Sequence, residues 1–182
     1  INTESYLLKV YPLGALEFKY PFFRGRNNKS EVLIPVAQLV YSTDTTSPKR
    51  PIDEDSSTTE FDSTTLFRLR KIPGIDRQEN GLRLNAGLEY FYEYKNNYKY
   101  NVSLGQVYRN KNSEDFLPSS GLNGFESDIL LSGNLSFKKY LEIASKHVYS
   151  KNFTLKRSNT SLKFTKPRYQ IKTSLTNLVS DS

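Results

Sequence analysis

The chain has 182 residues, enough for one domain with a substantial core. It contains no cysteine, methionine or tryptophan and one histidine, which excludes disulfide scaffolds, thiolate metal sites and histidine-rich zinc or catalytic centres. A net charge of +7 leaves open a phosphate-rich partner, and no apolar run reaches the roughly 18 residues of a membrane helix. Residues 1–10 do not show the basic-then-apolar pattern of a signal peptide. Hydropathy cannot decide against a β-barrel, because barrel strands are apolar on one face only. Periodicity can.

Near the start, Leu16, Phe18, Tyr20 and Phe22 alternate with Glu17 and Lys19, as in a strand with one apolar face. Residues 30–42 are apolar on both faces and contain Pro35, which predicts a bulge or an inner-facing apolar patch. After a long connection over 43–80, residues 82–94 alternate without a break. Leu82, Leu84, Ala86, Leu88, Tyr90, Tyr92 and Tyr94 oppose Arg83, Asn85, Gly87, Glu89, Phe91 and Glu93. Asn96 and Asn97 then mark a tight turn, since asparagine tolerates left-handed backbone.

The next strand spans 98–109, with Tyr98, Tyr100, Val102 and Leu104 opposite Lys99, Asn101, Ser103 and Gly105. A second long connection covers 110–125. A strand over 126–138 sets Ile129, Leu131, Leu135 and Phe137 against Asp128, Ser132, Asn134 and Ser136. Strands follow at 140–149, 153–165 and 168–178. In 153–165 the apolar phase flips between Leu155 and Leu162, which predicts a β-bulge near 158–161. The count is about eight strands and no helix.

Short turns at 24–29, 95–97, 138–139 and 166–167 fall on one rim, and the long connections, plus a short one at 150–152, on the other, as in outer-membrane barrels. Aromatics cluster beside the short turns: Tyr20 with Phe22, Tyr94 with Tyr98, Phe137 with Tyr140, Phe164 with Tyr169. Two such belts flank the apolar band of a membrane barrel. On the clearest strands Lys19, Arg83, Glu89, Glu93, Lys99 and Asp128 all lie on the polar face, which must then line a wet interior. That face is rich in Asn, Ser, Glu and Gly, unlike the packed lumen of a small eight-stranded barrel. The expected fold is therefore all-β: an antiparallel, up-and-down transmembrane barrel, with 1–182 a partial barrel domain forming an arc of about eight strands. Both ends read as cuts through a larger barrel, and the arc is expected not to fold alone. The connections over 43–80 and 110–125 are expected to be extracellular.

The connection over 43–80 is too long for a passive link. Its first half is acidic and Ser/Thr-rich, and reads either as a solvated loop or as a fold over the lumen. Its second half brings Arg68, Arg70, Lys71 and Arg77, and ordered packing is expected over 66–83 because Phe67, Ile72 and Ile75 need burial. His147 reads as a rim residue.

Residues 51–83, PIDEDSSTTEFDSTTLFRLRKIPGIDRQENGLR, with Gly87, Leu88 and the later run Gly105-Gln106-Val107-Tyr108-Arg109, resemble the LptD family, especially its alphaproteobacterial branch. The resemblance is carried by Asp53 to Ser56, Glu60, Phe61, Asp62, Leu66, Phe67, Gly74, Asp76, Arg77, Glu79, Gly81 and Arg83, and continues through Ser120-Gly121-Leu122, Ser127-Asp128 and Leu155-Lys156-Arg157. It departs at Thr64, where asparagine is usual, and at Lys71-Ile72, where Arg-Phe is usual.

The resemblance implies the central part of a C-terminal barrel in the Gram-negative outer membrane. It implies an organic-solvent-tolerance type translocon that assembles lipopolysaccharide into the outer leaflet around a plug lipoprotein, LptE. A domain outside this segment would dock the periplasmic Lpt bridge. No enzyme activity, cofactor, metal or nucleic acid is expected. Asp55, Phe61, Asp62, Phe67, Gly74, Asp76, Arg77, Gly81 and Arg83 would form a structural or lumen-facing loop. Glu89, Glu93, Lys99, Arg109 and Lys156 would be lumen or lipopolysaccharide contacts, or solvated charges balancing one another. From residue pattern alone a general porin remains open, as does a soluble β-rich module binding nucleic acid or glycan. The latter would put cations and rings on one face, whereas here they lie on opposite faces.

Overall fold

The computed structural model describes residues 12–43, 61–72, 79–95, 97–113, 116 and 118–179. They form one antiparallel ten-stranded sheet: β1 (Leu13–Lys19), β2 (Phe22–Arg26), β3 (Lys29–Ser42), β4 (Gly81–Tyr94), β5 (Tyr98–Ser113), β6 (Gly124–Glu126), β7 (Ile129–Phe137), β8 (Leu141–Tyr149), β9 (Leu155–Lys166) and β10 (Tyr169–Leu178). The main path β1-β3-β4-β5-β7-β8-β9-β10 has eight ribs; β2 pairs with β3 beyond β1, and β6 pairs with the end of β5. Each rib pairs with its neighbour in sequence, which is the up-and-down order expected. Among the described residues β1 and β10 have one partner each, so the sheet is an open arc.

The strands form because their side chains alternate, and the registers keep one phase across the arc. Val40↔Arg83↔Arg109 and Gln38↔Asn85↔Val107 share one face, while Leu39↔Leu84↔Tyr108 share the other. The second face is bare: Leu16, Leu88, Leu104, Leu135, Ile171 and Leu175 are all exposed, Leu175 by 74%. The first face carries the charges and a polar chain in which Asn85 Nδ2 donates to Gln38 (2.6 Å) and Gln38 Nε2 donates to Glu17 (2.8 Å).

Pro35 introduces no bulge against β4, with which β3 pairs without a shift along its whole length. Its carbonyl accepts from Tyr20 N–H at 3.4 Å, so its missing donor also faces the β1–β2 side. That is where the first rib breaks, at Tyr20-Pro21. Val36 and Val40 are buried on the inner face, the predicted apolar patch.

Four expectations need correction. The bulge in β9 lies at Lys156, because Val148 pairs with Arg157 and Tyr149 with Leu155; it precedes the predicted 158–161 position. One extra residue there suffices to flip the apolar phase. The expected strand over 126–138 starts at Ile129, after a break at Ser127-Asp128 that separates β6, and β5 runs four residues past Arg109 to Ser113. A helical turn absent from the sequence reading, α1 (Ser63–Leu66), sits in the long connection, and Pro118–Ser120 forms a 3-10 turn.

Candidate functional site

Residues 61–72 lie on the charged face of the sheet, near the rim of the long connections. The local fold starts at Asp62, whose Oδ1 accepts from the N–H groups of Thr64 and Thr65 at 2.9 Å each, while Thr65 Oγ1 accepts from Asp62 N–H at 2.8 Å. This reciprocal capping box closes α1. A single turn is not stable by itself, so its packing must hold it. Lys146 of β8 adds an ion pair to Asp62 at 3.2 Å. Burial works to raise the Asp62 pKa, yet the hydrogen bonds from Thr64 and Thr65 and the Lys146 ammonium bring it down to about 2.

The packing depends on two glycines. Gly87 of β4 and Gly105 of β5 stand directly opposite each other and leave a notch in the inner face. A Cβ on Gly87 would sit 2.7 Å from Phe67 Cζ, and one on Gly105 would overlap Leu66. Leu66 and Phe67 therefore reach down to the backbone of the sheet. Around them Phe61, Leu66, Ile72, Val107, Phe116, Leu122, Leu130 and Val148 form one buried cluster. Such side chains contribute about 1.5–3 kcal/mol each when fully buried.

Beside this cluster lies a buried group of charges. Glu79 receives Arg83 at 3.0 Å and Arg109 at 2.8 Å. Arg83 also donates to the carbonyl of Leu69, and the Ser42 hydroxyl donates to the carbonyl of Glu79. Arg109 stacks over Phe116 with its guanidinium carbon 5.4 Å from the ring centre. Lys71, fully buried, donates to the carbonyls of Leu66 (2.7 Å) and Arg68 (3.2 Å). Burial pushes its ammonium down to about 7, with Glu79 opposing the fall and Arg83, Arg109 and Arg68 adding to it. Across the sheet, Arg157 donates to the Phe61 carbonyl at 3.0 Å. Lys156, at the bulge, pairs with Asp128 at 3.1 Å.

The residues singled out from the sequence thus divide into groups. Phe61, Asp62, Phe67, Arg83 and Arg109 meet in this assembly, and Gly81 opens β4 with a φ of +93°. Lys156 borders it through Asp128. Glu89, Glu93 and Lys99 share the face but lie nearer the short turns, where Lys99 pairs with Glu93 at 3.1 Å. Asp55, Gly74, Asp76 and Arg77 lie outside the described residues. Sequence reading passed over Lys146 and the Gly87–Gly105 notch. The notch had a signal: the Lys95–Asn97 turn sets the register that makes the two glycines opposite, on the face of Arg83 and Arg109.

The described residues of this arrangement clamp a segment against a wall. Comparison with known proteins gives one family: the sequence model of LptD, LPS transport system D, matches residues 2–180. No curated protein matches the chain.

Proposed function

The chain belongs to the LptD family, and on that premise we propose that it is one arc of the wall of the outer-membrane barrel that delivers lipopolysaccharide to the outer leaflet. The family is the outer-membrane component of lipopolysaccharide transport, a lipid-moving protein, and the function is non-enzymatic lipopolysaccharide assembly. A passive porin and a soluble nucleic-acid or glycan module are thereby set aside.

The carrying observation is sidedness. Aliphatic and aromatic side chains stand exposed on one face of β1, β3, β4, β5, β7 and β10, while away from the short turns the ionised groups and the docked segment occupy the other. Hydrocarbon takes the first face and a wet lumen the second, since a spanning sheet must pair all its backbone groups by closing into a barrel. On this reading the segment 61–72 lines the lumen near its outer end. Glu89, Glu93 and Lys99 line the lower part, available to the plug lipoprotein LptE or to passing lipopolysaccharide, and the bridge docks on a domain outside this segment. The chain makes and breaks no bond.

These 182 residues contain no cysteine, so once any cysteine elsewhere in the protein is replaced, single cysteines report the two faces directly. In the full-length protein in outer membranes, cysteines at Leu84 and Leu104 should react with a membrane-soluble maleimide and resist a water-soluble one. Those at Asn101 and Asn134 should do the reverse, and a photo-crosslinker there should capture lipopolysaccharide in transit. Uniform labelling of both faces by the water-soluble reagent would overturn the reading.

A further inference from the structure

The rim of short turns carries a charge pattern that the transport reading leaves unused. Arg24, Arg26, Lys29, Lys95, Lys138, Lys139, Lys166 and Arg168 lie in four successive hairpin ends, and all eight are exposed. Residues 24–29, 94–98, 137–141 and 164–169 contain no Asp or Glu. Without these eight cations the chain's net charge of +7 becomes −1, so the rim holds the whole excess. Four lysines of the inner face behave differently: Lys99, Lys146, Lys156 and Lys163 each sit in an ion pair. Among the described residues none of the eight rim cations does.

What several of them have instead is an aromatic ring. Lys95 and Lys29 lie 5.3 and 5.7 Å from the centre of Tyr94, Lys138 lies 5.6 Å from Phe137, and Lys166 lies 4.8 Å from Tyr140 and 5.7 Å from Phe164. Tyr94, Phe137 and Phe164 belong to the outward, apolar face. They run into a girdle in which Tyr98 stands 6.4 Å from Tyr94 and 4.7 Å from Phe137, and Tyr169 stands 6.3 Å from Phe164. An ammonium held on an outward ring is at the perimeter of the barrel, at the height where acyl chains meet headgroups. It is not at the mouth of the lumen. Lys95 and Lys138 also hold left-handed backbone, with φ of 49° and 48°, at positions asparagine or glycine would take more readily.

We infer that this rim is a collar for anionic phospholipid, a headgroup of the phosphatidylglycerol kind, in the leaflet on the short-turn side. The inference rests on the barrel reading above. The rings take the glycerol and acyl boundary, and the lysines take the phosphodiester. Hairpin ends recur at every second rib, about 10 Å apart along the rim, so neighbouring turns engage neighbouring lipids. The attraction is electrostatic and falls off within a Debye length.

The test uses the full-length protein reconstituted into vesicles of phosphatidylcholine mixed with phosphatidylglycerol, with lipid retained after detergent extraction read by native mass spectrometry. The wild type should retain phosphatidylglycerol preferentially. The K95Q/K138Q/K139Q/K166Q variant should lose about tenfold or more of that preference, and high salt during extraction should erase it in the wild type. The K111Q/K151Q control, on the opposite rim, should keep it. An inserted, protease-protected wild type without the preference would overturn the collar and leave the barrel reading standing. So would a four-lysine variant that keeps the preference, or one that instead loses a crosslink to an acidic periplasmic protein. Failure of the wild type to insert at all would overturn both.

Discussion

Gly105→Ala should release the segment 61–72 from the wall. The added methyl overlaps Leu66 and lies 3.1 Å from the Ala86 carbonyl, so backbone blocks one side and Leu66 must leave the notch. Leu66 is 2% exposed. Losing that burial costs about 1.5–3 kcal/mol, a fall of roughly 10- to 150-fold in the docking equilibrium. The assay is limited trypsin digestion of the full-length protein in membranes, reading fragments that end at Arg68 and Arg70. Cleavage at those bonds requires the segment to open, so its rate follows the undocked population. Leu66→Ala alone leaves a cavity and should also speed cleavage. The double variant should cost no more than Leu66→Ala, because the new methyl then enters vacated space and the two changes couple. Strict additivity, or an unchanged cleavage pattern in Gly105→Ala, would refute the notch.

The remaining predictions concern the buried charges and the two faces. Glu79→Gln strands Arg83 and Arg109 without their carboxylate and should lower stability by about 3–5 kcal/mol, read as thermal unfolding in detergent. Lys71 is held at about 7 when docked against 10.5 when free, so the undocked segment binds more protons between those values. Docking should therefore strengthen as pH rises through that window and carry its full penalty below it; a fluorophore attached at exposed Ser63 reads this, and Lys71→Met should flatten the profile. A slope of the opposite sign would contradict the burial argument. Leu104→Arg should cost about 2–4 kcal/mol in refolding into vesicles, whereas Ser103→Arg on the neighbouring inner position should be tolerated.

Much of the sheet was legible because its period is two and its turns are short. A turn at Lys95–Asn97 makes Tyr94 face Tyr98, and the rest of the β4–β5 register then follows residue by residue. The outward face could be read for the same reason. The docked segment could not, since nothing local says which wall Leu66 and Phe67 will meet. Burial of Ile72 and Phe67 was foreseeable from their apolarity, but the fit to Gly87 and Gly105 depends on contacts distant in sequence. One turn of helix is too short to show a 3.6-residue period, although the pair Asp62 and Thr65 at cap spacing signals it in retrospect. The Lys156 bulge was detectable as a phase flip and misplaced because Ser158 to Ser161 are polar on both faces. In the charge cluster, Glu79 could have been paired with Arg83 by proximity, but its second partner, Arg109, is supplied by the next strand.

Tyr20-Pro21 and Pro35 have a mechanical consequence. With Pro35 across from Tyr20 and Pro21 the next residue along, this stretch has few amide rungs, so β1 and β2 are separate short ladders on the same neighbour. A five-residue ladder such as β2 has little permanence alone. It borrows that permanence from β3, whose fourteen residues are fastened continuously to β4. Strain applied between this rib and β3 would thus part the two in two steps, the hinge falling at the prolines, while the β3–β4 wall stayed whole.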